Sequence, residues 1–140
     1  MLTTWEGPDK RTAPTLWMRI EAERIGFASG QGFDPKARAR WRDAVGGDSG
    51  KALARAIKKI EAFAKGTADV AGESLKKVPA PWPADHPRGD LLRMNGFQLR
   101  FMEPLPANVT KPAFAGWCTT RLKRLLPVHD WLVEHVAVGR

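Results

Sequence analysis

The chain reads as an α+β protein, and three observations carry that reading. Residues 15–20 and 97–102 alternate apolar and polar side chains, the period of a strand with one buried face. Residues 35–45, 49–65 and 112–137 carry apolar residues every third or fourth position, the period of an amphipathic helix. The strands and helices are grouped in blocks rather than strictly alternated, which favours helices beside an antiparallel sheet. The expected architecture is a small antiparallel sheet, formed by a hairpin over about 15–30 and a strand over about 97–102. Against it should pack helices over about 35–45, 49–65 and 88–94 and a long, kinked C-terminal helix over about 112–137. With 140 residues, one domain is expected over the whole chain.

The elements follow from the residues in order. Residues 1–13 are polar and read as irregular, with Gly7-Pro8 as a turn signal. Leu16, Met18 and Ile20 share one face of the first strand, and Trp17 and Arg19 share the other. After Glu21-Ala22-Glu23, the run Arg24–Gly30 returns as its antiparallel partner. Asp34-Pro35 opens a helix: the carboxylate accepts from an orphan N–H, and proline at N1 gives up a donor that has no partner there. Ala37, Trp41, Ala44 and Val45 form its stripe, and Gly46-Gly47 ends it. A second helix starts at Asp48 or Ser49, with Leu53, Ile57, Ile60 and Ala64 inward, and Gly66 closes it. Residues 67–78 predict short extended pieces around Ala71-Gly72. A proline-framed connector, PAPWPADHPRGD, leads to a short helix around Leu91-Leu92 and then through Asn95-Gly96 into the strand of Phe97, Leu99 and Phe101. Thr110 is expected to cap the last helix, whose stripe runs through Phe114, Cys118, Leu122, Leu125, Val128, Leu132 and Val136. Pro127 should kink or split it, because proline removes a backbone donor and clashes with the preceding turn.

Composition narrows the function classes. The hydrophobic share of 43% and charged share of 27% are those of a globular protein rather than a disordered tail. No stretch approaches the ~18 apolar residues of a membrane span, and residues 1–11 lack the apolar core of a signal peptide. Cys118 is the one cysteine, so no disulfide forms within the chain. The cytoplasm is the expected location. The net charge of +8 favours contact with anionic partners, but the ordinary reading is a solvated basic surface.

The sequence lacks a G-x-G-x-x-G, Walker, H-E-x-x-H or G-x-S-x-G signature, so no cofactor is expected. Cys118 lies on an apolar stripe, where burial raises a thiol pKa, and reads as structural. His86, His129 and His135 do not form a closed ligand set, so no metal site is expected. The best candidate site is Asp85-His86-Pro87-Arg88 with Asp90 and Arg93. A carboxylate, an imidazole and two guanidinium groups at a turn are able to hold an anionic group or move a proton. Capping by Asp85 and Asp90, with a backbone carbonyl for His86, accounts for the same residues through local geometry alone. Arg100, on the polar face of its strand, joins the binding candidates; for it and for Arg19 the ordinary outcome is a solvated side chain. A second candidate is the basic helix face of Lys51, Arg55, Lys58, Lys59 and Lys65, which suits phosphates of nucleic acid but has no interleaved aromatic for stacking single strands. Trp41 and Trp117 read as core.

Three stretches carry a resemblance: PTLWMRIEAERIGFASGQGF, ESLKKVPAPWPADHPRGDLLRMNGFQLRF and PAFAGWCTTRLKRLLPVHDWLVEHV. Over about residues 14–137 the chain resembles the bacterial domain-of-unknown-function family 2461. The matching positions are Leu75-Lys76-Lys77, Pro79, His86-Pro87, Leu91-Leu92-Arg93 and Phe97. The resemblance implies an α+β fold and no known reaction. The family is also recognised by an N-terminal R-x-x-R-D-x-R-F-x-x-x-[DN]-K-x-x-Y motif, which this tyrosine-free chain lacks. The expected function is therefore that of a small module, non-catalytic or dependent on a partner, that associates with another protein or with itself through the surface left by that segment. The alternatives are an enzyme or anion-binding protein built on Asp85, His86, Asp90 and Arg93, and nucleic-acid binding through the 51–65 face.

Overall fold

The computed structural model describes residues 2–5, 9 and 11–137. The strands are β1 (Leu2–Trp5), β2 (Thr15–Ile20), β3 (Arg24–Gly32), β4 (Asp69–Ala71) and β5 (Gly96–Pro104); the helices are α1 (Pro35–Gly46), α2 (Ser49–Ala64), α3 (Gly89–Leu92) and α4 (Ala113–His135). The five strands form one antiparallel sheet in the order β1-β2-β3-β5-β4. The α+β expectation holds, and the sheet is wider than the hairpin-plus-strand reading. Residues 2–5, read as irregular, form an edge strand on β2 in which Thr3 faces Trp17 and Trp5 faces Thr15. The other edge is the three-residue β4.

Register sorts the two faces. Met18, Phe27 and Phe101 form one cross-strand row, and Leu16, Ser29, Leu99 and Val70 form the next. Helices cover this face. Phe63 of α2 meets Phe101 at 5.5 Å, Trp117 of α4 meets Phe27 at 6.0 Å, and Trp41 of α1 meets Phe97 at 5.0 Å. Leu53, Ile57 and Phe97 lie in one continuous core, with Leu122 packed against it. The opposite face carries the row Trp17, Ala28, Arg100 and Asp69.

Local chemistry set most boundaries. Asp34 accepts from the Ala37 N–H at 2.8 Å and Pro35 takes the first helical position. Lys65 and Gly66 end α2 with left-handed backbone, at φ values of 50° and 89°. Two capping expectations fail. Pro112, not Thr110, stands at the N-cap of α4, and no side chain bonds there; at α3 the N-cap is Arg88, again without a side-chain bond, and Asp85 is exposed in the turn before it. Helix α4 is assigned as one element on both sides of Pro127 rather than splitting there. No helix among the described residues is long and apolar enough to cross a membrane.

Candidate functional site

The proline-framed connector is clamped onto the end of α1. A helix leaves its last carbonyls without intrahelical donors, and here the side chains of His86 and Arg88 supply them. Arg88 Nε donates to the Val45 carbonyl at 2.7 Å, and its Nη2 donates to the carbonyls of Gly47 at 3.0 Å and Gly46 at 3.4 Å. His86 Nδ1 accepts from the Arg88 N–H at 3.0 Å, which leaves the ring proton of a neutral imidazole on Nε2, 3.1 Å from the Gly46 carbonyl that accepts it. The Trp82 ring occupies the place where a Cβ on Gly46 would stand, and Arg88 Nε lies 2.6 Å from the same point on Gly50. Gly46 and Gly50 therefore form a seat whose lack of side chains admits Trp82 and Arg88.

The clamp is reciprocal. Trp41 Nε1 donates to the Leu91 carbonyl at 2.8 Å, and Arg42 donates to the Leu92 carbonyl at 3.2 Å and to Asn95 Oδ1 at 2.7 Å. Burial, reinforced by the nearby Arg38 charge, pulls the Arg42 guanidinium below its usual pKa. The end of α3 is thus closed by α1, and the end of α1 by the segment leading into α3.

The remaining candidates face outward on the other side of the connector. Arg93 pairs with Asp90 at 2.7 Å in an i,i+3 contact. Together with Lys76, Lys77, His86 and Pro87 they line an open cleft of about 610 Å³. Lys76 and Lys77 are exposed, and neither makes an ion pair among the described residues. Arg93 lines the cleft too, and its Nε is buried with no hydrogen-bond partner among the described residues. A cation cluster of this kind is suited to an anion. Acid–base chemistry is poorly served, because both His86 nitrogens are spent on backbone groups and the Asp90 carboxylate is solvated and paired.

The other candidates lie elsewhere. Arg100 pairs with Asp69 at 2.7 Å on the sheet face opposite the helices, in a separate groove with Trp17 and Arg19. Lys51, Arg55, Lys58, Lys59 and Lys65 are exposed along α2, where Lys51 sits 3.4 Å from Asp48. Cys118 is buried, and burial pushes its thiol pKa up. No cluster of three metal-ligating side chains occurs among the described residues. Sequence reasoning brought His86, Asp90 and Arg93 to one place and missed Lys76 and Lys77. Their signal was present as a dibasic pair in an extended run that the prolines fold back toward Arg93.

Comparison with curated proteins and with solved structures finds no match. A family model described as "Conserved hypothetical protein (DUF2461)" matches residues 1–131, from β1 into the last turns of α4, and the chain belongs to that family.

Proposed function

We propose that this chain is a non-catalytic binding module of the cytoplasm that holds an anionic group in the cleft of Lys76, Lys77 and Arg93. The single observation behind this reading is the division of labour along residues 76–93. The side chains with catalytic potential, His86 and Arg88, are committed to the α1 carbonyls, whereas three cations around the cleft have bonding capacity left over. Lys76 and Lys77 retain all their charge-assisted donors, and Arg93, which spends Nη2 on Asp90, adds its charge to the cleft. Partner dependence fits the same picture, since β1 and β4 are the outer strands of the sheet and each pairs on one side only among the described residues.

The test is a titration with inorganic pyrophosphate followed by amide chemical shifts. The expected result is saturable change at residues 76, 77 and 89–93, lost in Lys76→Ala/Lys77→Ala. Absence of saturation, or changes confined to α2, removes the reading.

A second reading, nucleic-acid binding through Lys51, Arg55, Lys58, Lys59 and Lys65, is favoured by the exposure of all five along one helix. Neutralising about four phosphates of a duplex would give a log–log salt slope near −3.6. Duplex affinity that does not change between two salt concentrations excludes it.

A further inference from the structure

The cation cleft does not stand alone. A second depression of about 540 Å³ shares Pro87 and Asp90 with it and continues between α2 and β4. Its chemistry is different: Ile57, Val70, Leu91 and Met94 supply apolar walls, and Lys58 stands at its rim. Arg88 also lines it, and that guanidinium is held on three backbone carbonyls, so this wall is fixed before any ligand arrives. Beside this groove runs β4, the last strand of the sheet, which pairs with β5 alone among the described residues. The extended chain continues beyond it through the Ser74–Met94 bridge and the Leu75 N–H donation to the Arg93 carbonyl at 2.7 Å. One edge of residues 69–75 is therefore pinned to the sheet, and Val70, Gly72 and Ser74 within this stretch line the groove.

Resting on the anion-binding reading above, we infer that the ligand is an extended acidic peptide: its carboxylates occupy the Lys76/Lys77/Arg93 cleft, and its adjoining residues lie along β4 with apolar side chains in the groove. Charge selects the acidic end. The lining contributes Lys58, Lys76, Lys77, Arg88 and Arg93 against Glu61 and Asp90, so the two depressions together favour anions. The edge strand selects a peptide over a fatty or isoprenoid anion. A hydrocarbon tail would fill the apolar walls but leave the outward N–H and C=O groups of β4 without partners, whereas an added strand pairs with them. A strand laid there places alternate side chains toward the helices, the side on which Val70 lies.

The probes are two fluorescein-labelled octapeptides of alternating valine and threonine, one with two glutamates at the N-terminus and one with them at the C-terminus. Fluorescence anisotropy on the intact chain should show saturable binding of one of them. N-methylation of alternate backbone nitrogens in that peptide should weaken binding by about tenfold or more, because it removes strand pairing while keeping charge and side chains. Ala54→Glu, which places a carboxylate on the α2 wall, should weaken the peptide to a similar degree and leave inorganic pyrophosphate binding intact. Lys76→Glu/Lys77→Glu should abolish both. If pyrophosphate binds and neither peptide does, or if the N-methylated peptide binds as well as its parent, the peptide inference falls while the anion-binding reading stands. If neither pyrophosphate nor peptide binds, both fall. The N-methylation comparison uses the unmodified chain and so holds even if Ala54→Glu fails to fold.

Discussion

Arg88 donates to the Val45 carbonyl at 2.7 Å, and Trp41, one turn before Val45, donates back to the Leu91 carbonyl at 2.8 Å. Each of two helix ends is thus closed by a side chain from the other's neighbourhood. The Arg88 charge also meets the negative end of the α1 dipole. This pairing explains how a connector rich in proline, which makes few backbone bonds of its own, is held in one place. It also fixes where Lys76, Lys77 and Arg93 stand, because residues 76–93 are anchored between Gly46 and β5.

The first prediction concerns that anchor. Gly50→Ala places a methyl group against the Val45 carbonyl and Arg88 Nε. Both are held by other bonds and yield with difficulty. Overpacking of this kind costs about 1–3 kcal/mol, and chemical denaturation should show a loss in that range with an unchanged m-value. Gly66→Ala is the control: no atom lies within 4 Å of its Cβ position, so its loss comes from left-handed backbone alone.

The second concerns His86. In the neutral ring the proton should reside on Nε2, since Nδ1 accepts from the Arg88 N–H. Long-range proton–nitrogen correlation spectra distinguish the two tautomers directly. A neutral ring protonated on Nδ1 would contradict the clamp. His86→Phe keeps the ring but abandons the Gly46 carbonyl and the Arg88 N–H, and should destabilise by about 1–3 kcal/mol.

How much of this was legible beforehand differs between fold and site. The stripe Leu53, Ile57, Ile60 and Ala64 declared its helix, and all four are buried, because a buried face imposes a periodicity that one sequence displays. Asp34-Pro35 declared its cap for the same reason: the chemistry is confined to three residues. The strand at Leu2–Trp5 was hidden because an edge strand of four residues with two consecutive threonines has no alternation to show. The Arg88 clamp was hidden because its partners are carbonyls some 40 residues away, and a carbonyl has no residue type. What the glycines of residues 46–50 announced was a helix stop; that they are also a seat for Trp82 and Arg88 is a tertiary fact. At the site, Asp90 and Arg93 were visible as charged residues beside the Asp85-His86-Pro87 turn, whereas Lys76 and Lys77 join them only through the fold of the proline segment.

The third prediction concerns Cys118. Burial raises its thiol pKa, partly opposed by the Arg121 charge. A raised folded-state pKa means that the unfolded chain loses its proton first. The resulting contribution to stability is complete below the ordinary thiol pKa of 9.0 and is lost as pH rises above it. At pH 8 an aromatic disulfide reagent should react slowly with the native chain and rapidly in denaturant. Equal rates in both would show that the thiol is reached by solvent. Cys118→Ser should lower stability and Cys118→Ala should lower it less, because serine puts an extra hydroxyl among apolar neighbours.

The fourth prediction separates anchor from cleft. Arg88 and the pair Lys76/Lys77 lie on opposite sides of the same connector, and only the pair lines the cation cleft. Arg88→Lys keeps the positive charge but cannot fork across the carbonyls of Val45, Gly46 and Gly47. Leaving those acceptors underserved should cost about 1–3 kcal/mol, read as a lower denaturation midpoint, with pyrophosphate affinity unchanged where the variant is folded. Lys76→Ala/Lys77→Ala should do the reverse. Exposed lysines away from packed features contribute within about 0.5 kcal/mol of stability, so the midpoint should hold while pyrophosphate affinity drops at least about tenfold. The two variants must fail in different assays. Should Arg88→Lys lose binding at full stability, or Lys76→Ala/Lys77→Ala lose stability at full binding, the assignment of Arg88 to architecture and of the lysine pair to the ligand would be reversed.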